Sequence, residues 1–311
     1  MRTSTPCIPQ ALRAAAPQQS PMEPSVTLRA PAKLNLTLEV LSKGSGGHHN
    51  LRSVMVPLDL HDELRLEPGA SGVRVRCNLK ELEQDNIVER ALRAIDAGAS
   101  YDAFLGKDIP VGGGLGGGSS DAAAVLLAAA SGRIKATKGC DYPAIARALG
   151  SDVPFFLTQG AALVEGTGER VTALANPPLW FAVILVPPVR VSSAQAYARL
   201  HLSGDRTRER TNSASIRMGE AVQRGDFKTA ASLLSNDFQS IIADAYPAVA
   251  HALAAFEHAG TPGTLTGSGA CVFALCEDRA AAESLATRLQ LPPGHRVLRA
   301  PLLRAAQWAN A

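Results

Sequence analysis

Residues 110–121 read Pro110-Val111-Gly112-Gly113-Gly114-Leu115-Gly116-Gly117-Gly118-Ser119-Ser120-Asp121, with six glycines in seven residues followed by two hydroxyls. The run leads directly into Ala122-Ala123-Ala124-Val125-Leu126-Leu127, a stretch of good helix formers. Glycine admits positive φ and lets a backbone approach a ligand closely. A glycine loop that opens into a helix N-terminus gathers unpaired N–H donors at the positive end of the helix dipole. That is an anion site, and phosphate is its usual occupant. A flexible linker is the competing reading, but Gly/Ser linkers do not run straight into an Ala/Leu/Val helix. The loop is not a Walker A motif, because serines and no lysine follow the glycines. It fits G-x-G-x-x-G trivially, and the acid a dinucleotide site wants about 20 residues on is offered only by Asp141. The chemistry this predicts is binding of a nucleotide through its phosphates.

Three other polar positions stand out against apolar surroundings. Asp152 lies in Leu149-Gly150-Ser151-Asp152-Val153-Pro154-Phe155-Phe156, where a carboxylate among apolar neighbours needs a reason. Two reasons are open: a base that accepts a proton, or an N-cap for the next segment. Lys33 and Asn35 lie in Pro31-Ala32-Lys33-Leu34-Asn35-Leu36, two residues apart and so on one strand face. A solvated strand-edge lysine is the bland alternative for Lys33. Gly267-Ser268-Gly269 interrupts the strand-like run 264–276, either as a turn beneath a ligand or as a bulge.

The elements that must position these residues can be read coarsely. Val26–Ala30, Leu34–Val40, Val54–Leu60, Glu63–Leu66 and Val73–Cys77 alternate or run apolar like strands. Asn86–Asp96, 120–131 and Pro143–Gly150 read as helices, the last ended by glycine. Ala161–Glu165 and Glu169–Ala173 read as a hairpin. Phe181–Val186 is a buried strand stopped by Pro187-Pro188. Beyond it the chain reads helix (Met218–Gly225), helix (Phe227–Leu234), helix (Ala248–Gly260), strand (264–276), helix (278–289) and strand (296–300), with a polar loop over 203–215. This order predicts an α+β architecture.

Composition sets limits. At 311 residues the chain can bury a sizeable core in one large domain or two medium ones. A net charge of +3 and 5% aromatics give no argument for nucleic acid. Five cysteines without C-x-x-C spacing read as reduced thiols rather than a zinc site. No run of about 18 apolar residues is present, so no membrane helix is expected. Residues 1–23 carry arginine, serine and proline without an apolar signal core, which predicts a disordered or organelle-targeting extension.

The segments 31–36, 110–120 and 265–273, in this order, resemble the three signature motifs of the GHMP kinases, the superfamily of galactokinase, homoserine kinase, mevalonate kinase and phosphomevalonate kinase. The resemblance covers about residues 25–300. Within the superfamily, Ala32–Leu36, the full glycine loop, Gly150–Phe156, Glu165-Gly166-Thr167-Gly168-Glu169 and Asn236-Asp237-Phe238 are most similar to the branch that phosphorylates the 2-hydroxyl of a cytidylyl-methylerythritol in non-mevalonate isoprenoid synthesis. The resemblance implies a two-domain α+β fold: an N-terminal α/β domain with the phosphate loop over 24–177, and a C-terminal ferredoxin-like α+β domain over 178–304. It implies ATP and Mg2+ as cofactors, with the triphosphate on Pro110, Val111, Gly112, Gly113, Gly114, Leu115, Gly116, Gly117, Gly118, Ser119 and Ser120. It names Lys33 and Asp152 as catalytic, with no assigned metal ligands. Asn35, His48, His49, Tyr197, Gly267, Ser268 and Gly269 would bind the small-molecule acceptor, with His48 and Tyr197 as the two faces of a base sandwich. The chain departs from the branch at 44–51, where Gly46 and His48 replace the usual Asp and Tyr. A cytoplasmic or plastid monomer or homodimer is expected. A sibling kinase for homoserine or a mevalonate derivative would keep the glycine loop but not the 32–36 and 150–156 pair. An inactive regulator of the same fold would tend to lose Lys33 or Asp152.

Overall fold

The computed structural model describes residues 25–43, 49–175, 179–200 and 213–304. His48, Gly46, the 1–23 extension, Cys7 and the expected domain junction at 176–178 lie outside the described residues.

The first half runs β1 (Val26–Lys43), β2 (His49–Pro68), β3 (Val73–Cys77), α1 (Ile87–Ile95), β4 (Tyr101–Gly106), α2 (Gly117–Ala130), α3 (Tyr142–Leu149), α4 (Val153–Phe156), β5 (Ala162–Gly166) and β6 (Arg170–Ala173). The second half runs β7 (Phe181–Val186), α5 (Ser193–Arg199), α6 (Ala214–Arg224), α7 (Phe227–Leu233), β8 (Ser235–Asn236), α8 (Gln239–Ala245), α9 (Pro247–His258), β9 (Thr264–Leu265), β10 (Val272–Cys276), α10 (Arg279–Arg288) and β11 (Arg296–Pro301). Strands β3-β4-β2-β1-β8 form one sheet, with β5 added beside the first part of β2 and β6 beside β5. Strands β11-β7-β10-β9 form a second, antiparallel sheet. Strand β8 comes from the second half yet pairs in parallel with β1, Thr37 opposite Ser235, so the two halves interlock.

Two pairs of strands expected from the sequence are single long strands. Val26–Ala30 and Leu34–Val40 join as β1, because register shifts at Pro31/Ala32, Asn35/Thr37 and Val40/Ser42 absorb the proline and the change of face. Val54–Leu60 and Glu63–Leu66 join as β2 in the same way. The run 264–276 is instead two strands, β9 and β10, around a turn. Helices α4, α5 and α8 and strand β4 are additions to the sequence reading; each is short enough that its period does not show.

β1 lies between β2 and the two-residue β8 and is buried along most of its length because it contributes to all three cores, through Leu28 and Ala30, then Leu34 and Leu36, then Leu38 and Val40. Leu34 and Leu36 enter the core between the sheets with Trp180, Ile184 and Phe273. Lys33, Asn35 and Thr37 are equally sealed on the alternate face. Helix α2 is apolar almost all round and is buried on most sides, packed with α1, α3, α4 and the first sheet. A third core lies between the second sheet and α8–α10. No helix among the described residues is long and apolar enough to cross a membrane.

Candidate active site

The three segments 31–36, 110–120 and 265–273 converge on one another through their backbones. Lys33 N–H donates to Leu115 O at 2.9 Å, Ala270 N–H to Gly112 O at 3.2 Å, and Cys271 N–H to Gly113 O at 3.1 Å. The loop's carbonyls are occupied in this way. The N–H groups of the first turn of α2 are the ones a helix leaves unpaired. Glycine is required where the loop is gripped. A Cβ on Gly114, at φ +76°, would lie 2.1 Å from Thr266 O. Gly116, at φ +75°, caps α2, and a Cβ there would press on Lys33 and Phe156. The result is a backbone cradle at a helix N-terminus, which fits a polyphosphate.

The loop forms one wall of a cavity of about 1150 Å3. Gly112, Gly114, Gly116, Gly117, Gly118, Ser119, Lys33, Asn35, Asp152, His49, Tyr197, Gly267, Ser268 and Gly269 all line it. Pro110, Val111, Gly113 and Leu115 line a second cavity of about 250 Å3 on the same loop, with Asn86, Ile87, Lys107 and Asp121. Ser120 is fully buried, lines neither cavity, and its hydroxyl has no hydrogen-bond partner. Its backbone N–H donates to Gly116 O at 2.9 Å, so neither the hydroxyl nor the N–H of Ser120 is open to the cradle, contrary to the expectation from the sequence.

Lys33 projects from β1 into the cavity. Its Nζ donates to Asn35 Oδ1 at 2.5 Å and lies 3.6 Å from Asp152 Oδ2. Burial lowers the Lys33 pKa below the ordinary lysine value, and the Asp152 charge offsets part of that shift. Asp152 immediately precedes α4 but makes no side-chain capping bond there. Its carboxylate is one-third exposed and faces the ammonium. Of the two readings open in the sequence, the geometry therefore favours a carboxylate presented to the cavity.

Asn35 is fully engaged within the protein. Its Oδ1 accepts from Lys33 and from Gly267 N–H (2.9 Å), and its Nδ2 donates to Ser53 Oγ at 2.8 Å. It ties Lys33 to the Gly267-Ser268-Gly269 segment and orients both. Asn236 supports the same segment, donating to Leu265 O and Gly267 O at 2.8 Å. Ser268 Oγ shares a hydrogen bond with Ser193 Oγ at 2.8 Å.

In the aromatic part of the cavity the His49 ring stacks on Tyr197 with centroids 4.9 Å apart and planes at 23°, and Tyr197 meets Phe238 edge-on. His48, the other half of the expected sandwich, lies outside the described residues. Burial, helped by the Asp152 charge, pushes the Tyr197 phenol up to about 12, so it stays protonated.

Two features escaped sequence reasoning. The first is the packing of the turn 165–169, which the sequence shows as a hairpin bend but not as a neighbour of Asp152. A Cβ on Gly168 would lie 2.2 Å from Ser151 O, so this turn is pressed against the residue before Asp152. Glu169 Oε2 holds the turn by accepting from Thr167 N–H (2.6 Å) and Oγ1 (2.8 Å). The second is a sealed cluster beside the loop. Lys107 Nζ donates to Asp62 Oδ2 and to Asp121 Oδ2, the latter at 2.6 Å. Asp62 Oδ1 accepts from Asp108 N–H (2.7 Å) and Ile109 N–H (2.9 Å). A Cβ on Gly117 would touch both members of the Asp62–Lys107 pair at 3.1 Å. The cluster thus grips the chain entering the loop and the chain leaving it. Burial pushes the Asp121 carboxyl up to about 7, with Lys107 opposing and Asp62 adding to the rise. For Lys107 burial acts downward, but the two carboxylates outweigh it and the net shift is upward.

Comparison with known proteins agrees with this geometry. The GHMP kinases N terminal domain matches residues 86–160, and the GHMP kinases C terminal region matches residues 218–292. A 4-diphosphocytidyl-2-C-methyl-D-erythritol kinase of Pseudothermotoga lettingae is 38% identical over 81% of this chain and 92% of its own length. The enzyme of the same name from Deinococcus radiodurans is 39% identical over 85% and 89% respectively. A crystal structure of 4-(cytidine 5'-diphospho)-2C-methyl-D-erythritol kinase superposes with a TM-score of 0.69 at 31% identity, covering 89% of this chain and 99% of that one. A homoserine kinase from Cytophaga hutchinsonii, 18% identical with a TM-score of 0.66 over 93% of this chain and 98% of its own, shares the fold. This chain is a GHMP kinase and belongs to the 4-diphosphocytidyl-2-C-methyl-D-erythritol kinase family.

Proposed function

We propose that this protein transfers the γ-phosphoryl group of ATP to the 2-hydroxyl of 4-diphosphocytidyl-2-C-methyl-D-erythritol. The observation that carries the reading is the Lys33–Asp152 pair, 3.6 Å apart, in a cavity that also holds the glycine cradle and the His49–Tyr197 stack. In this reading residues 24–177 form the ATP-binding half and 178–304 the C-terminal half.

Phosphoryl transfer asks mainly for positioning and for stabilisation of charge on the equatorial oxygens. The backbone of 112–118 and the first turn of α2 hold the triphosphate, and the second cavity takes the nucleoside. Magnesium, when bound with the nucleotide, would offset the charge of the triphosphate. Phosphate oxygens, water and the Ser119 hydroxyl would hold the ion. Among the described residues no three carboxylate, imidazole or thiol groups gather into a metal cage. The Asp152 carboxylate accepts the proton of the 2-hydroxyl. The freed oxygen forms a bond to the γ-phosphorus as the bond to the β-phosphate oxygen breaks and ADP leaves. Lys33 stands 3.6 Å from the Asp152 carboxylate and faces the charge that develops on the transferring oxygens. Asn35 fixes Lys33 rather than the acceptor, because its amide is already engaged on both ends. His49 and Tyr197 supply the flat surfaces and polar edge that a cytosine needs.

The test is ADP release from ATP and magnesium with the cytidylyl-methylerythritol acceptor, run beside homoserine and mevalonate. Turnover with the first acceptor alone is expected. Turnover only with homoserine or mevalonate would move the chain to a sibling activity and overturn the proposal.

A further inference from the structure

A nucleoside triphosphate brings several negative charges to the glycine loop, yet both lysines at the loop are committed to carboxylates. Lys33 faces Asp152, and Lys107 is held between Asp62 and Asp121. Arg90 of α1 lines the second cavity. Arg190, in the segment between β7 and α5, lines an adjoining cavity on the same loop with Val111 and Gly113, and is seated on the loop backbone. Its neighbour Val191 donates N–H to Gly112 O at 3.3 Å. Its stem lies flat against Gly112, where a Cβ would sit 2.9 Å from Arg190 Cβ. From there the side chain reaches Glu81, with Nη2 3.1 Å from Oε1. Glu81 belongs to a single 3-10 turn, Lys80–Leu82, that leads into the wall of the second cavity at Leu82, Gln84 and Asn86. The ion pair therefore runs from that wall to the glycine loop, and both side chains are more than half exposed.

An exposed single pair of this kind is weak, because water screens it and both side chains lose freedom in making it. A guanidinium on phosphate oxygens is charge-assisted and can be bidentate, which makes it the stronger arrangement. We propose that Arg190 is a nucleotide-binding residue: it exchanges the Glu81 carboxylate for phosphate oxygens of the nucleoside triphosphate seated on the glycine loop. Glu81 then acts as the competitor that holds Arg190 when no nucleotide is bound. This rests on the kinase reading above for its ligand, but not on the identity of the acceptor.

The two partners predict opposite signs. ATP affinity is measured by calorimetry on the full chain without acceptor. Arg190→Ala is expected to raise the Kd for ATP about tenfold, and Arg190→Lys to restore most of the loss. Glu81→Gln removes the competitor and is expected to lower the Kd about threefold. In turnover assays the KM for ATP follows the same signs while kcat and the KM for the acceptor stay within about twofold of wild type. A rise in Kd for Arg190→Ala and Glu81→Gln alike would show that the pair is only a strap across the cavity rim, and would overturn the proposal. An unchanged Kd in Arg190→Ala would do the same. Wild-type protein that binds ATP but turns over none of the acceptors would defeat the kinase reading while leaving the signs for Arg190 and Glu81 measurable.

Discussion

Lys33 and Lys107 both press on the glycine loop, one against Gly116 and the other against Gly117, and both are almost sealed from water. Lys33 has one carboxylate, 3.6 Å away and one-third exposed. Lys107 has two, and neither can be reached by solvent. Burial prevails at Lys33 and lowers its pKa, whereas the two carboxylates prevail at Lys107 and raise it. A group that must meet a substrate keeps a partner open to the cavity. A group that must hold a loop in shape is enclosed and doubly paired. In the proposed mechanism the same residue type beside the same loop serves chemistry in one place and architecture in the other.

The largest expected effect that separates the two is at Lys33. Lys33→Met should lower kcat by about 10²- to 10³-fold, the loss seen when one preorganised donor to a developing oxyanion is removed. Its melting temperature should stay near that of wild type, since the substitution also removes a charge that burial penalises. Asp62→Ala tests the other cluster. It leaves Lys107 with one carboxylate and frees the N–H groups of Asp108 and Ile109. Breaking a buried ion pair by removing one partner costs about 3–5 kcal/mol, which denaturant unfolding would read.

pH sharpens the contrast. The Asp121 carboxyl is pushed from the usual 3.8 up to about 7 in the folded protein. The folded state then binds a proton that the unfolded chain has already released, so this group's contribution to stability falls as pH rises from about 4 to about 7. Denaturation midpoints across that window should decline in wild type and decline less in Asp121→Asn. An equal slope in both would show that Asp121 does not hold the proton. Lys33 moves the other way: its lowered pKa brings the alkaline fall of kcat below the ordinary lysine value of 10.5. The smallest effect is at the aromatic part of the cavity. His49→Ala removes a stacked ring from Tyr197 and should raise the KM for the acceptor by roughly threefold to tenfold, with kcat little changed.

The readable parts of this molecule are those whose signal is local. The glycine loop announces itself because a phosphate cradle needs small residues in succession, and Lys33 and Asp152 stand out because charge is unusual in apolar runs. The Asp62–Lys107–Asp121 cluster was hidden, since its members are 45 and 14 positions apart and no spacing rule links them. The neighbours of Asn35 were hidden for a related reason: a strand face shows which residues share a side, but not that Ser53 and Gly267 would meet the amide. Pro31 looked like a strand break, and the register shift beside it let β1 continue. The Glu81–Arg190 pair joins residues 109 positions apart and likewise left no trace in the pattern.

The proposed division gives chemistry to Asp152 and architecture to Asp121, and kcat and the melting temperature measured side by side for Asp152→Asn and Asp121→Asn decide it. Asp152→Asn is expected to lose about 10²- to 10⁴-fold in kcat, as for a general base, with its melting temperature kept. Asp121→Asn should stay within a few-fold of wild-type kcat while its pH-dependent stability changes. Turnover retained in Asp152→Asn, or lost equally in both variants, would contradict it.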